Sequence, residues 1–191
     1  MKRLLVLLSV GAMALTGCST GDDAVDVNNG GEFRFVEGTP RGDVIPEDER
    51  ATAPEFGGTL LDGDEFSSAD LAGDVAVVNF WGSWCGPCRV ESPAFQEVYA
   101  DVRDDGVQFL GINVKDTDQL ARAFEERFGI EFPSLFDPRG EVALAFRDYP
   151  ASAIPSTIVL DRDSRVAAVY TGAVEEQDLR DVLSMMTSEE D

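Results

Sequence analysis

The sequence predicts an α/β domain built on a mixed central β-sheet with helices on both faces. Three observations predict it. Two apolar, β-branched runs, residues 75–80 and 106–114, read as buried central strands, and each leads into a stretch of helical periodicity. Two more β-branched runs, residues 156–160 and 165–171, flank Asp161-Arg162-Asp163-Ser164 and read as an antiparallel hairpin. The order is therefore ββ, βα, βα, α, ββα, with parallel units first and an antiparallel pair last. A chain of 191 residues is long enough for one such domain plus segments outside its core.

The N-terminus reads as targeting. Lys2 and Arg3 precede an apolar run over residues 4–15, too short for a comfortable transmembrane helix, so residues 1–17 are expected to be a signal segment. Leu15-Thr16-Gly17-Cys18 resembles the bacterial lipoprotein signal, in which the cysteine is lipidated and becomes the new N-terminus. That resemblance implies anchoring through Cys18 on the extracytoplasmic face of the cell membrane. An ordinary secretory signal that contains a cysteine is the alternative. Lipid on Cys18 also settles the cysteine arithmetic, because of three cysteines it leaves Cys85 and Cys88 as a closed pair.

Residues 18–51 are rich in Gly, Asp, Asn, Glu and Pro and read as a flexible acidic tether, within which Phe33, Phe35 and Val36 alternate in the pattern of a short docking strand. The folded domain is expected over residues 52–188. It opens with a β-hairpin, residues 55–61 and 64–66 about an Asp62-Gly63 turn. A helical turn over residues 67–71 precedes the first central strand. A helix follows over residues 89–99, with Pro87 suited to its first turn and Pro93 expected to kink it. After the second strand, Asp116-Thr117-Asp118 offers a cap to a helix carrying Leu120, Ala123, Phe124 and Phe128. An extended piece at 132–137, a short helix at 141–146, the hairpin, and an amphipathic helix at 174–186 complete the domain. That last helix places Leu179, Val182, Leu183 and Met186 on one face.

Composition excludes several functions. Asp and Glu number 37 against 15 Lys and Arg, for a formal charge of −22, which argues against nucleic acid and against electrostatic attachment to anionic lipid. There is no histidine, so histidine-based catalytic dyads and histidine-ligated metals are excluded. Acid–base work must fall to carboxylates, thiols or water.

Between the first strand and its helix stands Trp81-Gly82-Ser83-Trp84-Cys85-Gly86-Pro87-Cys88. A C-x-x-C at a strand-to-helix turn is redox chemistry with a physical basis. Two intervening residues let the sulfurs close a small ring, and the helix N-terminus stabilises Cys85 as the thiolate that attacks disulfides. A zinc site would need further Cys or His ligands, so no metal is expected. A purely structural bridge across so short a loop constrains the unfolded chain little.

This octapeptide, Pro93, and Ile154-Pro155-Ser156-Thr157 resemble the thioredoxin superfamily. The N-terminal β-hairpin, the helical insertion at 116–146 after the first βαβ unit, Asn79-Phe80-Trp81-Gly82 and Glu91 resemble its TlpA/ResA branch of membrane-anchored thiol-disulfide oxidoreductases. The resemblance covers roughly residues 54–186 and implies a thioredoxin-like fold. It implies an exposed nucleophile at Cys85, a more buried resolving thiol at Cys88, and no cofactor beyond the redox-active disulfide. Pro155 is expected to be the cis-proline facing the dithiol, with the Ile154 backbone pairing an extended substrate strand. Trp84, Gly86 and Pro87 are expected to shape the docking surface, and Trp81 to be core. Ordinary thioredoxins place aspartate where Asn79 stands, and Glu91, one helical turn after Cys88, is the candidate replacement for its proton transfer. A solvated surface glutamate is the alternative.

Implied partners are protein thiols and disulfides, apocytochrome c among them, and a membrane electron-transfer partner of the CcdA/DsbD type. Gly86-Pro87 favours the reducing direction. A disulfide-forming oxidase and, from another class, a non-catalytic client-binding module are the competing readings. A peroxidase would need an isolated peroxidatic cysteine, which the tight Cys85/Cys88 pair does not offer.

Overall fold

A computed structural model describes Gly38 and residues 41–189. The expected signal segment, Cys18, and the docking strand at Phe33, Phe35 and Val36 lie outside the described residues.

The two apolar runs become β4 (Val75–Trp81) and β5 (Val107–Val114), paired in parallel at the centre of a six-stranded sheet. Parallel pairing continues to β6 (Ser134–Asp137). On the other side β7 (Ser156–Leu160) pairs antiparallel with β4 and with β8 (Val166–Thr171). β8 in turn carries a short edge strand, β1 (Asp43–Val44), so the strand order is β1-β8-β7-β4-β5-β6. The predicted hairpin is a separate two-stranded sheet, β2 (Gly57–Thr59) with β3 (Glu65–Ser67), turned at Gly63, whose φ of 105° suits glycine.

Every β4 residue is buried, and alternate side chains serve opposite faces. Ala76, Val78 and Phe80 pack with the hairpin aromatics Phe56 and Phe66 and with Val142 and Phe146 of and beside α3 (Glu141–Ala145). Val75 and Val77 face α1 (Gly86–Val102) and α4 (Glu176–Ser188) through Phe95, Val98, Leu179, Val182 and Met186. On this same face Trp81 stacks on Phe124 of α2 (Asp118–Phe128), ring centroids 4.7 Å apart. Burying a Phe or Leu of this kind contributes about 2–3 kcal/mol, so the two layers hold the sheet rigid beneath the site.

Local chemistry sets the element ends. Ser67 and Asp70 form a capping box on the 3-10 turn Ser68–Leu71. Thr117 Oγ1 accepts from Leu120 N–H to start α2, and Gly129, at φ 63°, ends it. α1 begins three residues earlier than the predicted helix and continues through Pro93.

One expectation needs correction. The boundary between tether and domain does not fall at residue 51, because residues 43–50 are built into the domain. β1 lies on β8, Ile45 is 9 % exposed within the core, and the Arg50 side chain is 2 % exposed. Arg50 forms a two-pronged ion pair with Glu189 at 2.7 Å, a bond to Asp161 at 3.1 Å, and donates through Nε to the Ile45 carbonyl at 3.0 Å. Composition predicted a tether here because the residues that bury this segment lie more than a hundred positions downstream.

Candidate active site

The site begins where β4 runs out. Its last residues lead through Gly82 to Cys85, which has extended backbone angles and caps α1; Cys85 Sγ accepts from the Cys88 N–H at 3.1 Å. Gly86 and Pro87 supply the first helical turn, where the missing proline N–H would have had no partner. Cys85 and Cys88 are joined in a disulfide, S–S 2.07 Å, with Cα atoms 5.3 Å apart. Aligned peptide dipoles put partial positive charge at this end of α1, so on reduction the thiolate is favoured at Cys85.

Both cysteines are buried, Cys85 at 3 % and Cys88 at 0 % exposure. The burial order is the expected one, but Cys85 is not exposed in the disulfide form. It lies in a small apolar cluster with Leu61, Trp81, Ala121 and Phe124, against which Ile154 packs. The exposed surface beside it belongs to Trp84, Gly86, Pro87, Arg89 and Val90, with Trp84 at 51 % and Val90 at 75 %. Trp81 is core, as expected, at 4 %.

The Ile154–Pro155 peptide is cis. Pro155 is buried and its carbonyl accepts from Gly172 N–H at 2.9 Å, while among the described residues nothing bonds the Ile154 backbone. That leaves the Ile154 peptide groups available to an incoming extended chain.

Glu91 is not on the surface. It is 3 % exposed, one turn beyond Cys88 on α1. Its Oε1 accepts from Asn79 Nδ2 at 3.1 Å and its Oε2 from the Val174 N–H at 3.1 Å. Burial pushes its carboxyl up to about 7, against the smaller opposing pull of those two hydrogen bonds. Asn79 spends its second amide hydrogen on Thr157 Oγ1 at 3.1 Å. An aspartate at 79 would have brought a second carboxylate against Glu91, so asparagine on the strand and glutamate on the helix are complementary. A cavity of about 10 Å³, room for one water, lies beside the pair and is lined by Trp81, Ser92, Phe95, Phe124, Ile130 and Phe132.

Sequence reasoning missed Asp116. It reads as part of a helix cap, yet its carboxylate reaches back to the redox turn. Oδ2 accepts from Ser83 N–H at 2.6 Å and from Asn113 Nδ2 at 3.2 Å; Oδ1 accepts from Ser83 Oγ–H and Thr117 N–H, both at 2.8 Å. Burial alone would raise this carboxyl, but the hydrogen bonds outweigh it and leave Asp116 below its ordinary value. Beside it Trp84 Nε1–H donates to the Val114 carbonyl at 3.2 Å, and Arg89 Nη2 donates to the Ser83 carbonyl at 2.7 Å. Lys115 adopts a left-handed φ of 51°, which turns the chain so that Asp116 meets Ser83. Gly82 is needed for the same closeness, since a β-carbon there would stand 2.6 Å from Trp84 Nε1. The only hint in the sequence was Lys115-Asp116 directly after a buried strand.

Residues 50–169 match the model of the AhpC/TSA family. The chain is 35% identical over 129 residues to the thiol-disulfide oxidoreductase ResA of Geobacillus kaustophilus, covering 68% of this chain and 72% of that one. Among solved structures it is similar to a DsbF homologue from Corynebacterium diphtheriae, with TM-score 0.71, 38% identity, and coverage of 82% of this chain and 95% of the other. It is also similar to a secreted thiol-disulfide isomerase from Corynebacterium glutamicum, with TM-score 0.74, 35% identity, and coverage of 78% and 93%.

Proposed function

Since this chain belongs to the AhpC/TSA family, has the thioredoxin-like α/β fold, and is a thiol-disulfide oxidoreductase of the ResA type, we propose that it works as a lipid-anchored reductant outside the cytoplasmic membrane. In this reading Cys18 carries the lipid. The Cys85/Cys88 dithiol reduces disulfides in exported proteins, the haem-attachment cysteines of apocytochrome c among them. A membrane electron carrier of the CcdA/DsbD type then reduces it again. No helix among the described residues is long and apolar enough to cross a membrane, so in this reading attachment falls to the lipid.

The observation that carries the proposal is the pairing of a dithiol at the α1 N-terminus with the buried Glu91 carboxylate one turn along the same helix. In the reducing half-reaction the Cys85 thiolate attacks one sulfur of the substrate disulfide. A mixed disulfide forms and the first substrate thiolate leaves. Cys88 then gives its proton to Glu91 and attacks Cys85 Sγ. This closes the internal disulfide, releases the second substrate thiolate, and moves two electrons to substrate. A carboxyl held at about 7 is matched to accepting and returning a proton near neutral pH. Pro155 faces the sulfurs, the Ile154 peptide aligns the substrate strand, and Trp84, Gly86 and Pro87 form the surface it docks on.

The test of direction is the redox equilibrium of Cys85/Cys88 against glutathione buffers. A potential near that of thioredoxin, about −270 mV, supports the reductant; one near DsbA, about −120 mV, makes the protein an oxidant for exported proteins. Retained cellular function in Cys85→Ser would instead leave only the client-binding reading. The anchor is tested separately, since Cys18→Ala must release the signal-cleaved protein from membranes.

A further inference from the structure

β1 decides which end of the domain an N-terminal anchor reaches. It runs antiparallel to β8, with Asp43 opposite Val169 and Val44 opposite Ala168. Gly38 lies against the end of β8, where a β-carbon would stand 2.8 Å from Thr171 Oγ1. Thr171 pairs with Ser156, the residue after Pro155, and Ser156 pairs with Phe80. The chain therefore joins the sheet at the pole where β4 delivers Cys85.

From there it runs away from the dithiol. The Ile45 N–H donates to the Ala167 carbonyl at 2.8 Å, Thr52 bridges Arg165, and Arg50 closes on Asp161 in the β7–β8 turn at the far pole. α4 makes the same journey. It starts just after Val174, whose N–H holds Glu91, and ends where Glu189 meets Arg50 and Arg162 bonds the carbonyls of Met186 and Thr187. Residues 38 and 189 thus stand at opposite poles, with residue 38 against β8 at the pole that carries the dithiol.

We infer that β1 is an orienting strap: it hands an N-terminally anchored chain to the dithiol pole, so that Cys85 acts on disulfides carried by proteins in or held at the membrane. This rests on the anchor reading of Cys18 and adds to it the class of substrate. The twenty positions from Cys18 to Gly38 span at most about 70 Å. A domain of this size is about 40 Å across. Entry at the far pole would interpose that whole distance between anchor and dithiol.

The chain has no histidine, so a hexahistidine tag is its only grip on nickel-chelating lipid. Residues 18–191 carrying Cys18→Ser are held on phosphatidylcholine vesicles by a tag before residue 18, or by a tag after residue 191 on a spacer of equal length. The vesicles also contain a phosphatidylethanolamine with a pyridyl-disulfide headgroup. Reduced Cys85 attacks that disulfide and releases thiopyridone. Cys88 then closes the internal disulfide and frees the lipid thiol. Rates are divided by those with soluble glutathione–pyridyl disulfide, so intrinsic reactivity cancels.

The N-tagged protein should show a ratio at least about threefold above that of the C-tagged protein. Equal ratios, or a larger one for the C-terminal tag, would overturn the inference. Because the tag replaces the lipid, the outcome does not depend on whether Cys18 is acylated, which fractionation of Cys18→Ala decides alone.

Discussion

Glu91 sits at 3 % exposure with its carboxyl pushed by burial from 4.5 to about 7, and Glu91→Gln isolates what that costs. A carboxyl with a raised pKa binds its proton more tightly in the folded protein than in the unfolded chain. Its stabilising contribution is therefore complete below about 4.5 and is lost as pH rises through about 7. Two to three units at 1.36 kcal/mol each make the loss about 3 kcal/mol. Glutamine does not titrate, but its amide nitrogen must face either the Asn79 Nδ2 donor or the Val174 N–H donor. That mismatch costs about 1–2 kcal/mol at every pH. The variant should thus be the less stable protein at pH 5 and equal or more stable at pH 8, with the two curves crossing in between. Urea denaturation of the disulfide form across pH 4.5–8.5 measures this, with every other group shared by both proteins. A stability difference that stays constant across the range would refute the burial argument. It would also remove the physical basis for Glu91 as a proton acceptor.

Three further outcomes are expected. Arg50→Ala leaves Asp161 and Glu189 short of a buried partner and should cost about 2–4 kcal/mol, with hydrogen exchange accelerating first over residues 43–50 and the end of α4. Asp116→Ala frees the Ser83 N–H and hydroxyl and should cost about 1–2 kcal/mol at pH 7. Because the Asp116 carboxyl is held below its ordinary value, its contribution is present at neutral pH and lost on acidification, so the variant should also show a flatter acid limb. Gly111→Ala places a methyl against Ser134 Oγ and 2.6 Å from Trp81 Nε1 and should lower the urea midpoint by an amount equivalent to about 1–3 kcal/mol.

The parts of this molecule that could be read in advance are those whose cause is local in the chain. β4, β5, β7 and β8 announce themselves by β-branched runs, and Asp62-Gly63 and Asp161–Ser164 by turn chemistry. Cys85, Cys88 and Glu91 lie within one helical stretch, where spacing alone fixes relative placement. Pro155 and its cis bond came through resemblance, because nothing in the spacing distinguishes it from an ordinary loop proline. What escaped depends on partners far along the chain. Asp116 meets Ser83 across 33 positions, and Arg50 meets Glu189 across 139. β1 is two residues of ordinary composition inside an acidic stretch, stabilised by a sheet edge that no window around it contains. Cys85 was expected to be exposed, but Leu61 after the hairpin strand β2 and Ala121 and Phe124 of α2 converge on it from two separate segments.

The sheet's two flanks have a consequence for how the protein meets other extended chains. One flank ends in β1, only two residues long. On the other, β6 is covered by early chain, through the Leu60–Leu135 bridge and the Leu61 N–H to Ser134 carbonyl bond of 2.8 Å. Among the described residues, foreign strands thus find no long unpaired border of this six-stranded sheet to extend. A border open to such strands would invite edge-to-edge association. With both flanks closed, the Ile154 peptide groups, which nothing bonds among the described residues, lie against the apolar cluster that holds the disulfide.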